Sequence, residues 1–286
     1  MRTISPNTQL CAVMGNPVGH SLSPAIHNAG YAALDLDFVY LACRVEDVAA
    51  ALGGVRALGN FRGLSVTIPH KIEAMRHVDE VAEVDRAIGS INTVVHEGDK
   101  LIGFGTDGPG ALKALADAGV AVEGRRILML GAGGAARAIG FTLAWKAAPA
   151  ELTLLDIHAE MLRGLAADLR AGSATPIVDA VLAPDTLAEA MARAEVVIHC
   201  TPIGMHPKVG ASLVPAGLFR PEQAVFDIVY TPLETKLLAD ARARGCRVIP
   251  GVEMFLNQAV LQFEYFTGAP APAAVMRRVL MEQLSR

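Results

Sequence analysis

The sequence predicts an α/β protein of two domains, in which the second domain contains a doubly wound parallel sheet. Short β-like runs alternate with helical stretches along the whole chain, which is the pattern of parallel sheets covered by helices. The chain has 286 residues, a length that fits two domains of about 100–200 residues each. In its second half, a glycine-rich turn stands between two apolar runs. That order of strand, turn, helix and strand is what a dinucleotide-binding domain requires.

The first domain is predicted to begin with residues 1–108. Strands are expected at residues 10–14, 38–43 and 64–68, and helices at residues 24–34, 46–58 and 70–77. A hairpin follows, with strands at residues 91–95 and 101–104 joined through Glu97-Gly98-Asp99-Lys100, whose residues suit a tight reversal. A helix that starts after Gly108-Pro109-Gly110 and runs to about residue 118 marks the boundary.

The second domain is predicted over residues 109–251. Its strands are expected at residues 127–130, 152–155, 196–200, 225–229 and 247–249. Two closing helices, near residues 252–267 and 271–284, are expected to fold back onto the first domain, which therefore also includes residues 252–286.

The glycine turn and the acid that follows the next strand predict a Rossmann-like dinucleotide site. Gly131, Gly133 and Gly134, followed by Ala135, let backbone N–H groups approach a pyrophosphate at the start of a helix. Asp156 closes the second strand, where a carboxylate accepts hydrogen bonds from ribose hydroxyls and repels a 2′-phosphate. It favours NAD over NADP. Its alternative role, compatible with the first, is an N-cap for a helix near residues 158–169.

Composition excludes several other classes of protein. The net charge of −4 and the lack of a basic cluster argue against nucleic acid and anionic membranes as partners. The polar N-terminus and the lack of a long apolar segment predict a cytoplasmic protein. The four cysteines have no paired spacing, so we expect free thiols.

His20 and His27 are close in sequence, as are His199 and His206. Neither pair has further metal ligands at a suitable spacing, so we expect hydrogen-bonded structural histidines and no metal.

Lys71 and Asp107 are candidate acid–base residues. Lys71 follows Pro69 in what should be the first turn of a helix, where the helix dipole disfavours a cation, although a solvated surface lysine fits equally well. Asp107 precedes a Pro-started helix and is a good N-cap, but beside Lys71 it would orient the amine. Together they predict acid–base chemistry opposite a nicotinamide ring.

The loop after the first strand, Gly15 to Pro24, is rich in turn formers and hydroxyl groups. It should lie at the carboxyl edge of its sheet, where ligands bind in α/β proteins. Ser21 and Ser23 can hydrogen-bond a small hydroxylated or carboxylated substrate, although Ser23 before Pro24 also suits a helix N-cap.

Eight ordered motifs along essentially the whole chain resemble the shikimate dehydrogenase family. They are Gly15-Asn16-Pro17 through His27-Asn28, Val66-Thr67-Ile68-Pro69-His70-Lys71, Ile91-Asn92-Thr93, Thr106-Asp107-Gly108, Gly131-Ala132-Gly133-Gly134-Ala135, Thr201-Pro202-Ile203-Gly204-Met205, Asp227-Ile228-Val229-Tyr230-Thr231-Pro232 and Gly251-Val252-Glu253-Met254 through Gln258.

The resemblance implies an N-terminal substrate domain, a C-terminal nucleotide domain and reversible reduction of 3-dehydroshikimate to shikimate, a step of aromatic amino-acid and chorismate biosynthesis. Lys71 and Asp107 would be the catalytic pair. The resemblance also assigns substrate binding to Ser21, Ser23, Thr67, Asn92, Tyr230 and Gln258, and cofactor binding to Gly131, Gly133, Gly134, Ala135, Asp156, Thr201, Gly251 and Met254. A small-molecule substrate and a monomer or homodimer are expected.

Four positions depart from the family's usual residues. Ser65 and Gly105 stand where asparagine is common, and His199-Cys200 replaces Asn-Ala. NADP-using members have an Asn-Arg-Thr-like segment where this chain has Asp156-Ile157-His158, so NAD is favoured while NADP remains open. The leading hypothesis is a shikimate dehydrogenase. The alternatives are an NAD-dependent quinate or quinate/shikimate dehydrogenase and, further off, a non-catalytic nucleotide-binding homologue.

Overall fold

The structure, a computed structural model, describes residues 4–285 and divides into two compact units. The first unit combines Met1–Thr106 with Gln258–Arg286, and the second is Asp107–Asn257. The second unit thus begins at residue 107 where the sequence predicted 109, and ends at residue 257 where it predicted 251. The later end reflects one continuous helix, Gly251–Thr267, that begins in the second unit and ends in the first.

The first unit is built on a mixed six-stranded sheet. Its strands are β1 (Gln9–Gly15), β2 (Phe38–Arg44), β3 (Phe61–Val66), β4 (Glu80–Val81), β5 (Thr93–Glu97) and β6 (Lys100–Phe104), in the order β2-β1-β3-β5-β6-β4. β1 is parallel to β2 and β3, whereas β5 is antiparallel to β3 and β6. The carboxyl ends of β1 and β3 and the amino end of β5 therefore share one edge.

The helices of the first unit begin with α1 (Ser23–Ala33), α2 (Val48–Ala57), α3 (Lys71–Ala74) and α4 (Glu83–Ile88). The Asp47 carboxylate caps α2 by accepting the N–H of Ala50, which starts the helix two residues after the predicted position 46. The predicted helix over residues 70–77 is confirmed in extent but not in type. One α-helical turn is followed by a 3₁₀ turn at Met75–His77, and the backbone becomes extended at Val78.

His27 lies in an aromatic part of the first unit's core, and it corrects the expectation of a hydrogen-bonded structural histidine. Its side chain is fully buried and stacks on Tyr40 with 4.3 Å between ring centroids. Neither ring nitrogen has a hydrogen-bond partner among the described residues. Burial lowers the pKa of His27 from 6.5 to about 3, so the ring is held neutral.

The second unit contains the predicted doubly wound sheet. Its six strands are β7 (Arg126–Leu130), β8 (Glu151–Asp156), β9 (Ile177–Val181), β10 (Val196–His199), β11 (Ala224–Asp227) and β12 (Arg247–Pro250), in the order β12-β11-β10-β7-β8-β9. All neighbouring pairs are parallel. Strand order reverses between β7 and β10, which creates the crevice where such sheets bind ligands. The predicted fold class is confirmed.

The helices of the second unit are α5 (Asp107–Asp117), α6 (Gly134–Lys146), α7 (Ala159–Gly172), α8 (Pro184–Arg193) and α9 (Lys236–Ala243). The chain closes with α10 (Gly251–Thr267) and α11 (Ala273–Leu284). Sequence reasoning assigned no element to α4, α8, α9, β4 or β9. Within residues 4–285, no helix is long and apolar enough to cross a bilayer.

Candidate active site

Two loops of the first unit are fixed side by side at the shared edge of its sheet. The N–H of Thr67 donates to the carbonyl of Met14 at 2.9 Å, and the N–H of Asn16 donates to the carbonyl of Ile68 at 3.1 Å. Gly15 permits this approach, because a Cβ there would press on the Thr67 methyl group. The serine-bearing loop after β1 and the lysine-bearing loop after β3 are thus joined by backbone hydrogen bonds.

In the loop after β1, neither the Ser21 hydroxyl nor the Ser23 hydroxyl caps helix α1. The Ser21 hydroxyl accepts the N–H of Ser23 at 3.3 Å, and Ser23 is buried as the first residue of α1. The alternative that Ser23 caps this helix is wrong, because Leu22 holds the N-cap position and makes no side-chain cap hydrogen bond.

Lys71 is half-buried, and its backbone is held from two directions. The N–H of Ile91 donates to the Lys71 carbonyl at 3.1 Å. The preceding His70 ring lies 2.9 Å from the Val45 carbonyl through Nε2, which binds the loop to the segment after β2. Lys71 is the first residue of α3, as expected, but α3 has only four residues and a single turn carries little dipole. The position of Lys71 rests on these backbone anchors instead.

Asn92 and Gln258 are brought together through Thr106. The Asn92 amide oxygen accepts the Thr106 N–H at 2.7 Å, and its amide nitrogen donates to the Thr106 hydroxyl at 2.9 Å. The same hydroxyl lies 3.5 Å from the Gln258 amide oxygen. All three side chains are buried in the first unit. The arrangement offers fixed, uncharged hydrogen-bonding groups next to the backbone that carries Lys71.

Two of the departures from the family pattern have structural reasons. The Ser65 hydroxyl accepts from Tyr40 at 2.6 Å and donates to the Gln262 amide oxygen at 2.7 Å, so Ser65 is a buried link in a hydrogen-bond chain. Gly105 is required because a Cβ at that position would overlap the buried Asp85 carboxylate. An asparagine would not fit there with Asp85 in place.

The glycine turn of the second unit forms an open cradle at the start of α6. Gly131 has φ +111°, and a Cβ there would lie 3.0 Å from the Cys200 carbonyl oxygen. Gly133 is the N-cap of α6 without a side-chain cap, and the first turn, which includes Gly134 and Ala135, holds no acid. A Cβ on Gly133 or Gly134 would meet nothing within 4 Å. A helix start without a side-chain cap and with open space in front of it fits a pyrophosphate.

Asp156 lies at the tip of β8, as predicted, and its buried carboxylate holds the glycine turn. One oxygen accepts the N–H of Ala132 and the other accepts the N–H of His158, both at 2.7 Å. The N-cap role is wrong, since His158 occupies the N-cap position of α7. The next residue, Ile157, is 65% exposed and brings no charge to this edge.

A histidine that sequence reasoning had placed among structural residues belongs to a buried polar chain at the same edge. His199 ends β10 directly opposite Asp227, which ends β11. Its Nδ1 lies 2.9 Å from the Asp227 carboxylate, and its Nε2 lies 2.6 Å from the Thr201 hydroxyl. The Thr235 hydroxyl donates to the second Asp227 oxygen at 2.6 Å. The sequence signal for a special role of residue 199 was the histidine that stands where the family has asparagine. The pairing of His199 with Asp227 could not be predicted, because it depends on the register of β10 and β11.

Tyr230, Gly251 and Met254 surround the junction between β11 and α10. The Tyr230 ring packs on Phe255 with 4.9 Å between centroids, and burial raises the pKa of its hydroxyl. Gly251 lies so close to the chain after β11 that a Cβ would overlap the Ile228 carbonyl. Met254 is buried in the same unit.

Asp107 is the first residue of α5, where it is half-buried. The adjacent Gly108 allows α5 to pack on α6, because a Cβ there would overlap the Thr142 hydroxyl. The side chain of Asp107 therefore projects from a helix end that is fixed within the second unit.

The predicted site residues are divided between the two units. The first unit holds Ser21, Ser23, Thr67, Lys71, Asn92 and Gln258, and the second holds Asp107, Gly131, Gly133, Gly134, Ala135, Asp156, Thr201, Tyr230, Gly251 and Met254. Among residues 4–285, no group of three metal-ligating side chains is positioned to hold an ion.

Comparisons with known proteins identify the family. Residues 13–94 match the shikimate dehydrogenase substrate binding domain, and residues 251–281 match the shikimate 5′-dehydrogenase C-terminal domain. The shikimate dehydrogenase (NADP(+)) of Moorella thermoacetica is 46% identical, covering 99% of this chain and 96% of that protein.

Two solved structures show the same architecture. Shikimate 5-dehydrogenase from Listeria monocytogenes, solved with shikimate and NAD, superposes with a TM-score of 0.93 at 31% identity, covering 98% of this chain and 99% of the other. Quinate dehydrogenase from Corynebacterium glutamicum, solved with NAD, has a TM-score of 0.89 at 27% identity, covering 96% and 99%. The predicted resemblance is confirmed: the chain belongs to the shikimate dehydrogenase family.

Proposed function

We propose that the protein is an NAD(P)-dependent shikimate dehydrogenase, which reversibly reduces 3-dehydroshikimate to shikimate in aromatic amino-acid and chorismate biosynthesis. The observation that carries this proposal is the common edge of the first unit. There the Lys71 backbone is hydrogen-bonded to Ile91, next to Asn92, whose amide shares Thr106 with Gln258. A cyclohexene carrying hydroxyl groups and a carboxylate needs such a set of fixed donors and acceptors.

We assign substrate binding to the uncharged groups of this edge. Ser21, Ser23 and Thr67 offer hydroxyl groups from loops that are locked together, so little side-chain order has to be created on binding. Asn92 and Gln258 offer amides that are already oriented through Thr106. Tyr230 is assigned to the substrate on family resemblance, and its position in the second unit adds no independent support.

Proton transfer is assigned to Lys71 and Asp107. When bound, the dinucleotide supplies a hydride to the ketone carbon of the substrate. The oxygen of that ketone then becomes an alkoxide, to which the Lys71 ammonium donates a proton. The role we propose for Asp107 is to orient the Lys71 amine and help to shuttle the proton. In the oxidative direction, the Lys71 amine accepts the hydroxyl proton.

Dinucleotide binding is supported by the cradle at α6. Gly133, Gly134 and Ala135 bring N–H groups to the pyrophosphate, and the uncapped start of the helix favours its charge. Gly131 lets the chain turn there, and its own N–H donates to the Leu155 carbonyl at 2.8 Å. Thr201, Gly251 and Met254 complete the assigned set. The cofactor is a nicotinamide dinucleotide, and within that class we propose a preference for NAD.

The preference for NAD rests on Asp156. Its carboxylate is fixed by Ala132 and His158 at the place where the adenosine ribose of a Rossmann-like domain lies, and like charge disfavours a 2′-phosphate there. Ile157 provides no cation to compensate. The Moorella relative is named for NADP(+), whereas both solved structures described above contain NAD.

A second candidate substrate is quinate, which the likeness to the Corynebacterium enzyme favours together with Asp156. A steady-state matrix of shikimate and quinate against NAD and NADP separates the two. We expect the highest kcat/KM for shikimate with NAD. If shikimate is not oxidised with either cofactor, the proposed function is wrong. If the protein binds a dinucleotide but turns over neither shikimate nor quinate, it is a non-catalytic homologue.

The remaining expectations concern location and assembly. We propose a cytoplasmic enzyme, which is supported by four free cysteines, two of them buried. We expect a monomer or homodimer without nucleic-acid or membrane partners, consistent with the net charge of −4. Light scattering at several protein concentrations measures the oligomeric state.

A further inference from the structure

We propose that His199 is a positioning residue that holds the Thr201 hydroxyl as a hydrogen-bond acceptor for a donor on the nicotinamide riboside half of the cofactor. The inference rests on the proposed dinucleotide function. It concerns a residue at which this chain departs from its family, and it assigns a direction to each hydrogen bond in the buried chain that ends at Thr201.

The chain begins at a carboxylate whose oxygens are fully occupied by donors. Asp227 is completely buried, and it accepts the N–H of Val229 at 3.1 Å and the hydroxyl of Thr235 at 2.6 Å. The third partner is Nδ1 of His199 at 2.9 Å. Because a carboxylate only accepts hydrogen bonds, Nδ1 carries the proton in this pair. The tautomer of His199 is therefore set by Asp227.

The direction of the next hydrogen bond follows from that tautomer. A neutral imidazole with a proton on Nδ1 presents a lone pair at Nε2. The Thr201 hydroxyl, 2.6 Å away, must then donate its only proton to Nε2. Its oxygen also accepts the N–H of Ile203 at 3.2 Å. Toward a ligand, the half-exposed Thr201 offers an acceptor and no donor.

The place of Thr201 in the sheet selects the half of the cofactor. Asp156 marks the adenosine side, on β8, and the glycine turn follows β7. β10 lies on the other side of β7, beyond the point where strand order reverses. A Cβ on Gly131 would lie 3.1 Å from the Thr201 methyl group, so Thr201 directly adjoins the pyrophosphate turn. The nucleoside after the pyrophosphate is the nicotinamide riboside, which carries ribose hydroxyl and carboxamide donors.

Equilibrium binding to the protein without substrate tests the acceptor role. Thr201→Val removes the hydroxyl without changing side-chain shape, and we expect it to weaken NADH and NADPH about three- to tenfold, the effect of one hydrogen bond. ADP, which lacks the whole nicotinamide riboside, should bind within about twofold of wild type. Thr201→Ser should retain wild-type affinity. Equal weakening of ADP and NADH, or no weakening of either, would overturn the proposal.

A matched control removes a buried threonine hydroxyl elsewhere in the second unit. The Thr175 hydroxyl donates to the Ala144 carbonyl at 3.2 Å, and Thr175 precedes β9 at the opposite end of the sheet. Thr175→Val should leave both affinities unchanged. A loss of NADH affinity equal to that in Thr201→Val would show that the effect is a general loss of stability.

A double-mutant cycle tests whether His199 acts through Thr201. His199→Leu should weaken NADH about as much as Thr201→Val does, and it should add almost nothing in the Thr201→Val background. Full additivity of the two losses contradicts a positioning role. Nitrogen NMR of the wild-type protein does not depend on the folding of a variant: we expect a proton on Nδ1 and none on Nε2 of His199, and the opposite tautomer would overturn the proposal.

A cofactor analogue separates the two donors of the nicotinamide riboside. The 3-acetylpyridine analogue of NAD lacks the carboxamide N–H donors and keeps both ribose hydroxyls. If Thr201→Val weakens NAD but not this analogue, the donor is the carboxamide. If it weakens both equally, the donor is a ribose hydroxyl. Both results support the proposal that the Thr201 hydroxyl accepts a hydrogen bond from the cofactor. If the protein shows this binding pattern but wild type does not oxidise shikimate, the inference about Thr201 stands and shikimate is excluded as the substrate.

Discussion

The two units hold their polar groups in different ways. In the first unit, amides and hydroxyls are bonded to one another, as in the group Asn92, Thr106 and Gln258. In the second unit, buried carboxylates end two parallel strands, and each accepts backbone N–H groups from the loops beyond: Asp156 from Ala132, and Asp227 from Val229. Uncharged groups suit a substrate recognised by its hydroxyls, and fixed carboxylates suit loops that must keep their shape around a dinucleotide.

The largest effect is expected for Lys71→Ala in the first unit, which should slow the reaction without weakening cofactor binding in the second unit. Lys71→Ala removes the proposed proton donor, and we expect kcat to fall by about 10²–10⁴-fold. The affinity for NADH should stay within about twofold of wild type, because no assigned cofactor contact is lost. Stopped-flow or steady-state absorbance at the nicotinamide band measures the rate, and nucleotide fluorescence measures binding.

Lys113 provides the matched control for Lys71. It forms an exposed i, i+4 ion pair with Asp117 on α5, so Lys113→Ala should keep normal turnover. Normal turnover in Lys71→Ala, or an equal loss in both variants, would remove Lys71 from the mechanism.

A smaller effect is expected for Asp156, the carboxylate of the second unit that we propose lies at the adenosine ribose. Asp156→Ala would also release the Ala132 N–H and disturb the glycine turn, which confuses the readout. The double variant Asp156→Asn/Ile157→Arg keeps one of the two acceptor oxygens and adds a cation. We expect the ratio of kcat/KM for NADP to that for NAD to rise about 10- to 100-fold, since a charge-assisted phosphate contact replaces repulsion.

Ile157→Leu is the control for the cofactor switch, because it changes the same exposed position without adding charge. It should leave the ratio unchanged. If the double variant also leaves it unchanged, the assignment of Asp156 to cofactor choice fails.

The same contrast explains what the sequence could predict. The strands of the second unit were predictable where apolar runs are short and uninterrupted, as in β7 and β8, which are almost wholly buried. β9 was missed because it is an edge strand with mostly half-buried or exposed residues and no such run. In the first unit, the change from α-helix to 3₁₀ helix at Met75 was not predicted, because no local pattern marked it.

Site residues were predictable where a local motif carries them. Lys71, Asn92 and the glycines of the turn lie in such motifs. The bond from Asp156 to Ala132 and the bond from His199 to Asp227 join strands that are distant in sequence, so they depend on the register of the sheet. Their chemistry could be recognised only once strand order placed them at one edge.

The smallest effect is expected for His27, the buried histidine of the first unit. Its ring nitrogens have no hydrogen-bond partner among the described residues, whereas both ring nitrogens of His199 have one. Burial lowers the pKa of His27 from 6.5 to about 3, so the unfolded chain binds one more proton between these values. The folded state is therefore destabilised as pH falls below 6.5 toward 3, by about 1 kcal/mol between pH 6 and pH 5. Urea unfolding of wild type and His27→Phe at both pH values should differ by that amount, and an identical pH slope in the two proteins would contradict the assignment.

Hydrogen–deuterium exchange with single ligands tests most directly whether substrate and cofactor binding are divided between the two units. Shikimate alone should protect amides in residues 66–71 and 91–93 of the first unit, and ADP-ribose alone should protect residues 131–135 and 156–158 of the second. Protection of the glycine turn by shikimate, or of the Lys71 loop by ADP-ribose, with no effect on the expected segments, would contradict the division.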